Sequence, residues 1–238
     1  DEYHDFNSGL DFKTKKTPFS GGSGALPKNP KAVKLVLSIA LFSLFITFAI
    51  GLYFIATVGV AIVPIGLIGL LIIVTYTQWL NRIALLCLIA PGVGLGLLMV
   101  VGTHIVLTFE TSKLVWLISL IPFFLINNLL LLNQYPDMQA DASVGRNTLP
   151  LAFGIKCSNI VYALFMITAY SLILLYVSVG ILPVISIIAL LPMLLSIFVL
   201  VGAIKHKSNI ASFPKYLTAN VVTTIITPFL LGLSLLIA

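Results

Sequence analysis

An all-α, polytopic transmembrane helical bundle is the fold class this sequence predicts, on three observations. Of its 238 residues 60% are hydrophobic and only 8% charged, where an ordinary soluble domain carries about 25% charge. The mean hydropathy of +1.16 is too high for a surface that faces water. Apolar runs long enough to cross a bilayer, which takes about 20 residues of helix, recur along the chain. Together these exclude a soluble enzyme, a secreted disulfide scaffold and a disordered chain. The runs lack the period-two alternation of a barrel strand, and an open sheet leaves its backbone unpaired in lipid, so the spans are helices.

Taken in order, residues 1–34 are a polar segment that opens at Asp1. No basic stretch followed by an apolar core and a small-residue cleavage site marks a signal peptide. The segment reads as a polar arm or as the start of a fragment. About seven spans follow, near 35–57, 60–77, 83–107, 114–133, 158–180, 183–204 and 216–237. The second is short, and the third is broken by Pro91-Gly92 and further glycines.

Charge assigns the loops to sides. One side receives 1–34, 78–82, 134–157 and 205–215, with Lys13, Lys15, Lys16, Lys28, Lys31, Lys34, Arg82, Arg146, Lys156, Lys205, Lys207 and Lys215. The other holds only Lys113. Basic loops stay in the cytoplasm, so the first side is cytoplasmic and the net charge of +6 calls for no nucleic-acid partner. The acidic residues follow the same split. Asp1, Glu2, Asp5, Asp11, Asp137 and Asp141 share the basic side, and Glu110 lies opposite. Carboxylates contribute little to orientation, so their clustering needs a separate reason.

Two acidic clusters supply it. In DEYHDFNSGLD, a helical register sets Asp1 four residues and Glu2 three residues from Asp5, on one face. Like charges so placed repel unless a cation sits among them, and hard oxygens suit Mg²⁺ or Ca²⁺. A solvated acidic terminus is the plain alternative. In NQYPDMQAD, Asn133, Asp137 and Asp141 are spaced by four, and an Asn127-Asn128 pair precedes them. A helix continuing through Pro136 stacks the three on one stripe at the membrane surface, where polar groups are expensive and usually functional. Basic residues trail both clusters: Lys13, Lys15 and Lys16 after the first, Arg146 and Lys156 after the second. Acid followed by base, twice, fits a metal-bridged diphosphate whose remaining oxygens meet Lys and Arg. The glycine-rich TPFSGGSG at 17–24 offers backbone donors for phosphate, or serves as a linker.

Cys87 and Cys157 form neither a metal motif nor a convincing disulfide. His4 lies in the first cluster, His104 in an apolar span and His206 among lysines; so scattered, they make no zinc site.

On these residues the chain resembles the UbiA-type intramembrane prenyltransferases, in particular the menaquinone branch of 1,4-dihydroxy-2-naphthoate polyprenyltransferases. NQYPDMQADASVGRNTLPLAFG at 133–154 is similar to the second aspartate-rich motif, N-D-x-x-D-x-x-x-D followed by G-[KR]-x-T-L. DEYHDFNSGLDFKTKKTPFSGGSG looks like the first motif, N-D-Y-x-D-x-x-x-G-x-D with T-P-F-S-G-G-S. The likeness extends along the chain, through GLGLLMVVGTHIV at 94–106. It departs at Asp1 and Glu2, where the family has Asn and Asp, at Gln134, where Asp is usual, and in a middle motif reduced to Tyr76–Arg82.

The resemblance implies a ring of about nine helices around a lipid-accessible cavity, of which this chain carries seven, as an N-terminally truncated single domain over 1–238. It implies Mg²⁺ on the two motifs and transfer of an isoprenyl group from its diphosphate to an aromatic or quinone-precursor acceptor. Carried over, Glu2, Asp5, Asp11, Asp137 and Asp141 are the metal ligands, with Asp5, Asp137 and Asp141 the catalytic carboxylates. Lys13, Lys16, Asn133 and Arg146 are the diphosphate contacts. The expected partners are the prenyl diphosphate, the acceptor and membrane lipid. Two other readings stay open here: a secondary transporter using Asp137 and Asp141 as ion sites, although no internal repeat is visible, and a catalytically silent lipid-binding homologue.

Overall fold

A computed structural model describes residues 2–14, 16–17, 19 and 21–237. Asp1 and Lys15, which count in the first acidic cluster and the charge split, lie outside the described residues. Among the described residues there is helix and turn and no strand.

The segment expected as a polar loop carries three short helices, α1 (Glu2–Asn7), α2 (Leu10–Lys13) and α3 (Ala25–Lys28). They form because the segment is not uniformly polar: Leu10 and Leu26 are buried and pin it to the bundle. The longer elements follow as α4 (Val33–Val58), α5 (Val63–Thr75), α6 (Ala84–Pro91), α7 (Met99–Thr108), α8 (Lys113–Ser143), α9 (Leu149–Ser178), α10 (Met193–His206) and α11 (Pro214–Ile237).

Six helices, not seven, are long and apolar enough to cross a membrane: Pro30–Val58, Ala84–Thr108, Lys113–Ser143, Leu149–Ser178, Val184–Ser212 and Pro214–Ile237. The expected second span is the shorter Val60–Thr75. At 1.5 Å per residue it reaches about 24 Å, less than the roughly 30 Å of a hydrocarbon core. α9 begins at Leu149 rather than near 158, because its polar start is satisfied within the protein. The Ser158 hydroxyl donates to the Gly154 carbonyl at 3.1 Å across a kink, and the Tyr135 hydroxyl donates to Asn159 Oδ1 at 2.9 Å.

α8 is the axis of the molecule. It packs against α6, α7, α9 and α11, and Leu131, Leu132 and Tyr135 on it are fully buried. Between α6 and α7 the glycine-rich stretch Gly92–Leu98 is π-helical, with Pro91 before it. A π turn shifts the hydrogen-bond ladder, and the N–H of Gly92 is taken up by Asn127 Oδ1 at 2.7 Å. Gly96 lets the two backbones touch, since a Cβ there would stand 2.6 Å from the Phe123 Cα. Asn128 Nδ2 donates to the Tyr162 carbonyl at 2.9 Å. The Tyr162 hydroxyl donates to Asn220 Oδ1 at 2.8 Å, and Asn220 Nδ2 returns to the Asn128 carbonyl at 3.3 Å. This closed ring ties α8, α9 and α11, and in lipid each such bond contributes on the order of 1 kcal/mol. The Asn127-Asn128 pair, read from sequence with the acidic stripe, is therefore used in packing. α4 is peripheral, with none of its residues buried, as suits a helix facing lipid.

Candidate functional site

With 31 residues, α8 is about 46 Å long and exceeds the hydrocarbon thickness by roughly 15 Å. The helix does continue through Pro136, so Asn133, Asp137 and Asp141 form one stripe on its final turns. Gln134, a step of about 100° around the helix, turns instead to α6, where its Nε2 donates to Cys87 Sγ at 3.5 Å. Gln134 is half-buried there, and its Oε1 has no hydrogen-bond partner.

Beyond Ser143 the chain wraps tightly. Gly145 takes a φ of 77°, and the Arg146 N–H donates to the Asp141 carbonyl at 3.1 Å. The Asn147 N–H donates to the Asn81 carbonyl at 2.8 Å, which joins this loop to the turn after α5. Arg146 is thus fixed at the negative end of the α8 dipole, a favourable place for a cation.

Its guanidinium joins the two acidic segments. Nη2 pairs with Asp5 Oδ1 from α1, and Nη1 lies 3.4 Å from Asp141 Oδ1. Asp5 and Arg146 meet although they lie 141 positions apart in sequence. Glu2 and Asp11 complete the first segment. Glu2 Oε1 accepts from the Ser23 hydroxyl, and Lys16 Nζ donates to the Ser23 carbonyl, so the glycine-rich loop is fastened to α1. Gly22 holds the loop close: its φ is +60°, and a Cβ there would approach Asp11 Oδ1 to 3.2 Å. Lys13 is exposed, and Asp137 is half-buried one turn before Asp141.

Burial pushes the Asp5 carboxyl above the usual carboxylate range; Arg146 opposes this, while Asp11 and Asp141 reinforce it. Asp11 is raised in the same way, by burial and by Glu2, against Arg146. Asp11 Oδ2 and Asn133 Oδ1 are buried without a hydrogen-bond partner. A cluster of carboxylates that repel one another, with the orphaned Asp11 oxygen among them, fits a hard divalent cation. Among the described residues, however, no three acidic, imidazole or thiol groups stand together as a ready metal cage; Arg146 takes the place of a cation between Asp5 and Asp141.

Beside Arg146 lies a cavity of about 310 Å³ lined by His4, Asp5, Gln78, Asn81, Arg82 and Arg146, among others. Gln78 Nε2 and His4 Nε2 are 3.0 Å apart, and Asn81 Oδ1 is buried without a partner. Sequence reasoning did not place Gln78, Asn81 or Arg82 in the site. The available signal was the segment Tyr76–Arg82 between two apolar spans on the basic side, read from sequence only as a reduced middle motif.

Three of the four basic-side loops thus line this cavity or its rim, and the fourth, 205–215, is at the same end: Ile210 shares a core cluster with Tyr135, against which Phe19 packs. Asp5 and Asp141 sit with Arg146 at this end of the bundle.

Comparison with known proteins agrees. The chain is 29% identical over 171 residues to the 1,4-dihydroxy-2-naphthoate octaprenyltransferase of Bacillus subtilis (strain 168), a match covering 71% of this chain and 54% of that protein. The chain spans about half the length of this curated relative. No solved structure matches. The UbiA prenyltransferase family model matches residues 23–222, and on that match the chain belongs to the UbiA prenyltransferase family.

Proposed function

We propose that the chain carries the diphosphate site of an integral membrane prenyltransferase. It moves an isoprenyl group from its diphosphate to an aromatic or quinone-precursor acceptor, on the cytoplasmic face. The observation that carries this reading is the meeting of Asp5 and Asp141 on Arg146 at one end of the bundle. Two acidic segments with a shared arginine are what a multiply charged leaving group and its counter-cations need. The relative's printed activity supports a naphthoate-type acceptor. The twelve-to-one split of basic residues supports the cytoplasmic side.

In this reading Glu2, Asp5, Asp11, Asp137 and Asp141 would hold Mg²⁺, and Asn133 would contact the diphosphate. Bound Mg²⁺ neutralises charge on the diphosphate and so makes it a better leaving group. The chain's own part is electrostatic. Negative charge grows on the departing oxygens as the allylic C–O bond breaks, and Arg146, Lys13 and Lys16 stabilise it more in the transition state than in the ground state. The cavity beside Arg146 brings Arg82 within the same enclosure.

Single-cysteine labelling in sealed vesicles tests the sidedness. Residue 146 is expected to react only with reagent on the cytoplasmic side; reaction only from outside overturns this assignment. Radiolabelled prenyl diphosphate, with 1,4-dihydroxy-2-naphthoate as acceptor, tests the reaction. A prenylated product that requires Mg²⁺ is expected, and binding of the diphosphate without product supports a silent homologue instead.

A further inference from the structure

We infer that Arg146 is an exchangeable counter-cation. It holds the two acidic segments together while no metal is bound, and it must let go of them for a divalent cation to enter. It thereby couples metal binding to diphosphate binding. The inference rests on the diphosphate-site reading above and goes beyond it.

The geometry points this way because Arg146 makes two contacts that compete with a metal. Both of its partners, Asp5 Oδ1 and Asp141 Oδ1, are atoms a cation would use. A divalent ion placed between the same carboxylates meets the fixed charge of the guanidinium at close range, in a half-buried setting that screens poorly. Arg146 cannot relieve this by losing its proton. It can do so only by turning to another anion. Its backbone is held by the Asp141 and Asn81 tethers on either side, so the side chain moves while the loop stays. The cavity it lines, which Arg82 also lines, offers room for an anionic group. A diphosphate there gives the guanidinium a bidentate partner as good as the carboxylates it leaves. Each ligand then prepares the site for the other, and linkage requires the effect to be mutual. Before substrate arrives, the same contact keeps like-charged segments from separating.

The test is Mn²⁺ binding followed by electron paramagnetic resonance, with the protein in lipid nanodiscs, with and without inorganic pyrophosphate. Free Mn²⁺ is held constant, so that chelation by pyrophosphate itself does not enter. Wild-type protein is expected to bind Mn²⁺ weakly alone and about tenfold more tightly with pyrophosphate, within the usual range of coupling between sites. Arg146→Gln is expected to bind Mn²⁺ about tenfold more tightly than wild type without pyrophosphate, and to gain little when it is added. Arg146→Lys keeps the charge but lacks the fork that reaches both carboxylates. It falls between the two and carries the same comparison if Arg146→Gln does not fold. Weaker Mn²⁺ binding by the variants without pyrophosphate, or an undiminished pyrophosphate effect, overturns the inference. Absence of Mn²⁺ binding by wild type under both conditions overturns the diphosphate-site reading instead.

Discussion

The two halves of α8 bury polar side chains in opposite ways. In the first half, Asn127 and Asn128 bond backbone groups of neighbouring helices, each using one end of its amide. In the second, Asn133 Oδ1 is unpartnered, as are Asn127 Nδ2 and Asn128 Oδ1 in the first, but Asp141 is met by a charged side chain from the following loop. The first arrangement supports fixed packing, because its partners are main-chain atoms that do not move. The second is reversible, because its partner is one flexible cation. Polar groups in the interior of a membrane bundle thus divide by what answers them, and the answer separates structure from site better than residue type does.

The largest expected effect falls on the second half. Asp5→Asn, Asp137→Asn and Asp141→Asn keep side-chain size but remove charge. Each is expected to lower prenyl transfer per folded molecule by about 10²-fold or more, near 2.7 kcal/mol, an effect larger than any loss of stability from the broken Arg146 contact. A large fall in thermal stability with turnover intact would move that residue into the packing class. Next comes the contact between backbones. Gly96→Ala sets a Cβ against Phe123 and is expected to destabilise by about 1–3 kcal/mol, read as a lower midpoint in detergent denaturation. Asn220→Ala opens the ring through Asn128 and Tyr162 and is expected to cost about 1–3 kcal/mol of stability. Turnover per folded molecule should stay within a few-fold of wild type. If Asn220→Ala instead abolishes turnover in a protein of normal stability, the division between halves fails. The smallest effect belongs to Glu110→Ala, exposed at the opposite end, with stability unchanged within about 0.5 kcal/mol and transfer unaltered.

Much of this was readable before the fold. Hydropathy located six of the seven expected spans, and the distribution of Lys and Arg singled out four loops, three of which meet at one cavity. The spacing of Asn133, Asp137 and Asp141 foretold their stripe. Other features depend on tertiary partners. Nothing in the spacing of Asn127 and Asn128 distinguishes them from Asn133, since only the neighbours Gly92 and Tyr162 assign them to packing. The first segment was read as loop because charge dominates it, while two buried leucines suffice to fold it. The pairing of Arg146 with Asp5 crosses most of the chain and has no local signature. The π-helical stretch left only a cluster of glycines after Pro91, which reads as a break and not as an altered ladder.

Release of inorganic diphosphate from a radiolabelled prenyl diphosphate, measured with and without Mg²⁺ for wild type, Asp5→Asn, Asp141→Asn and Glu110→Ala, asks whether the joined acidic segments are the reacting site. Mg²⁺-dependent release by wild type and Glu110→Ala, reduced about 10²-fold in both Asp variants, is the expected result. Release that persists in Asp5→Asn and Asp141→Asn and disappears in Glu110→Ala would put the chemistry at the other end of the bundle and contradict it.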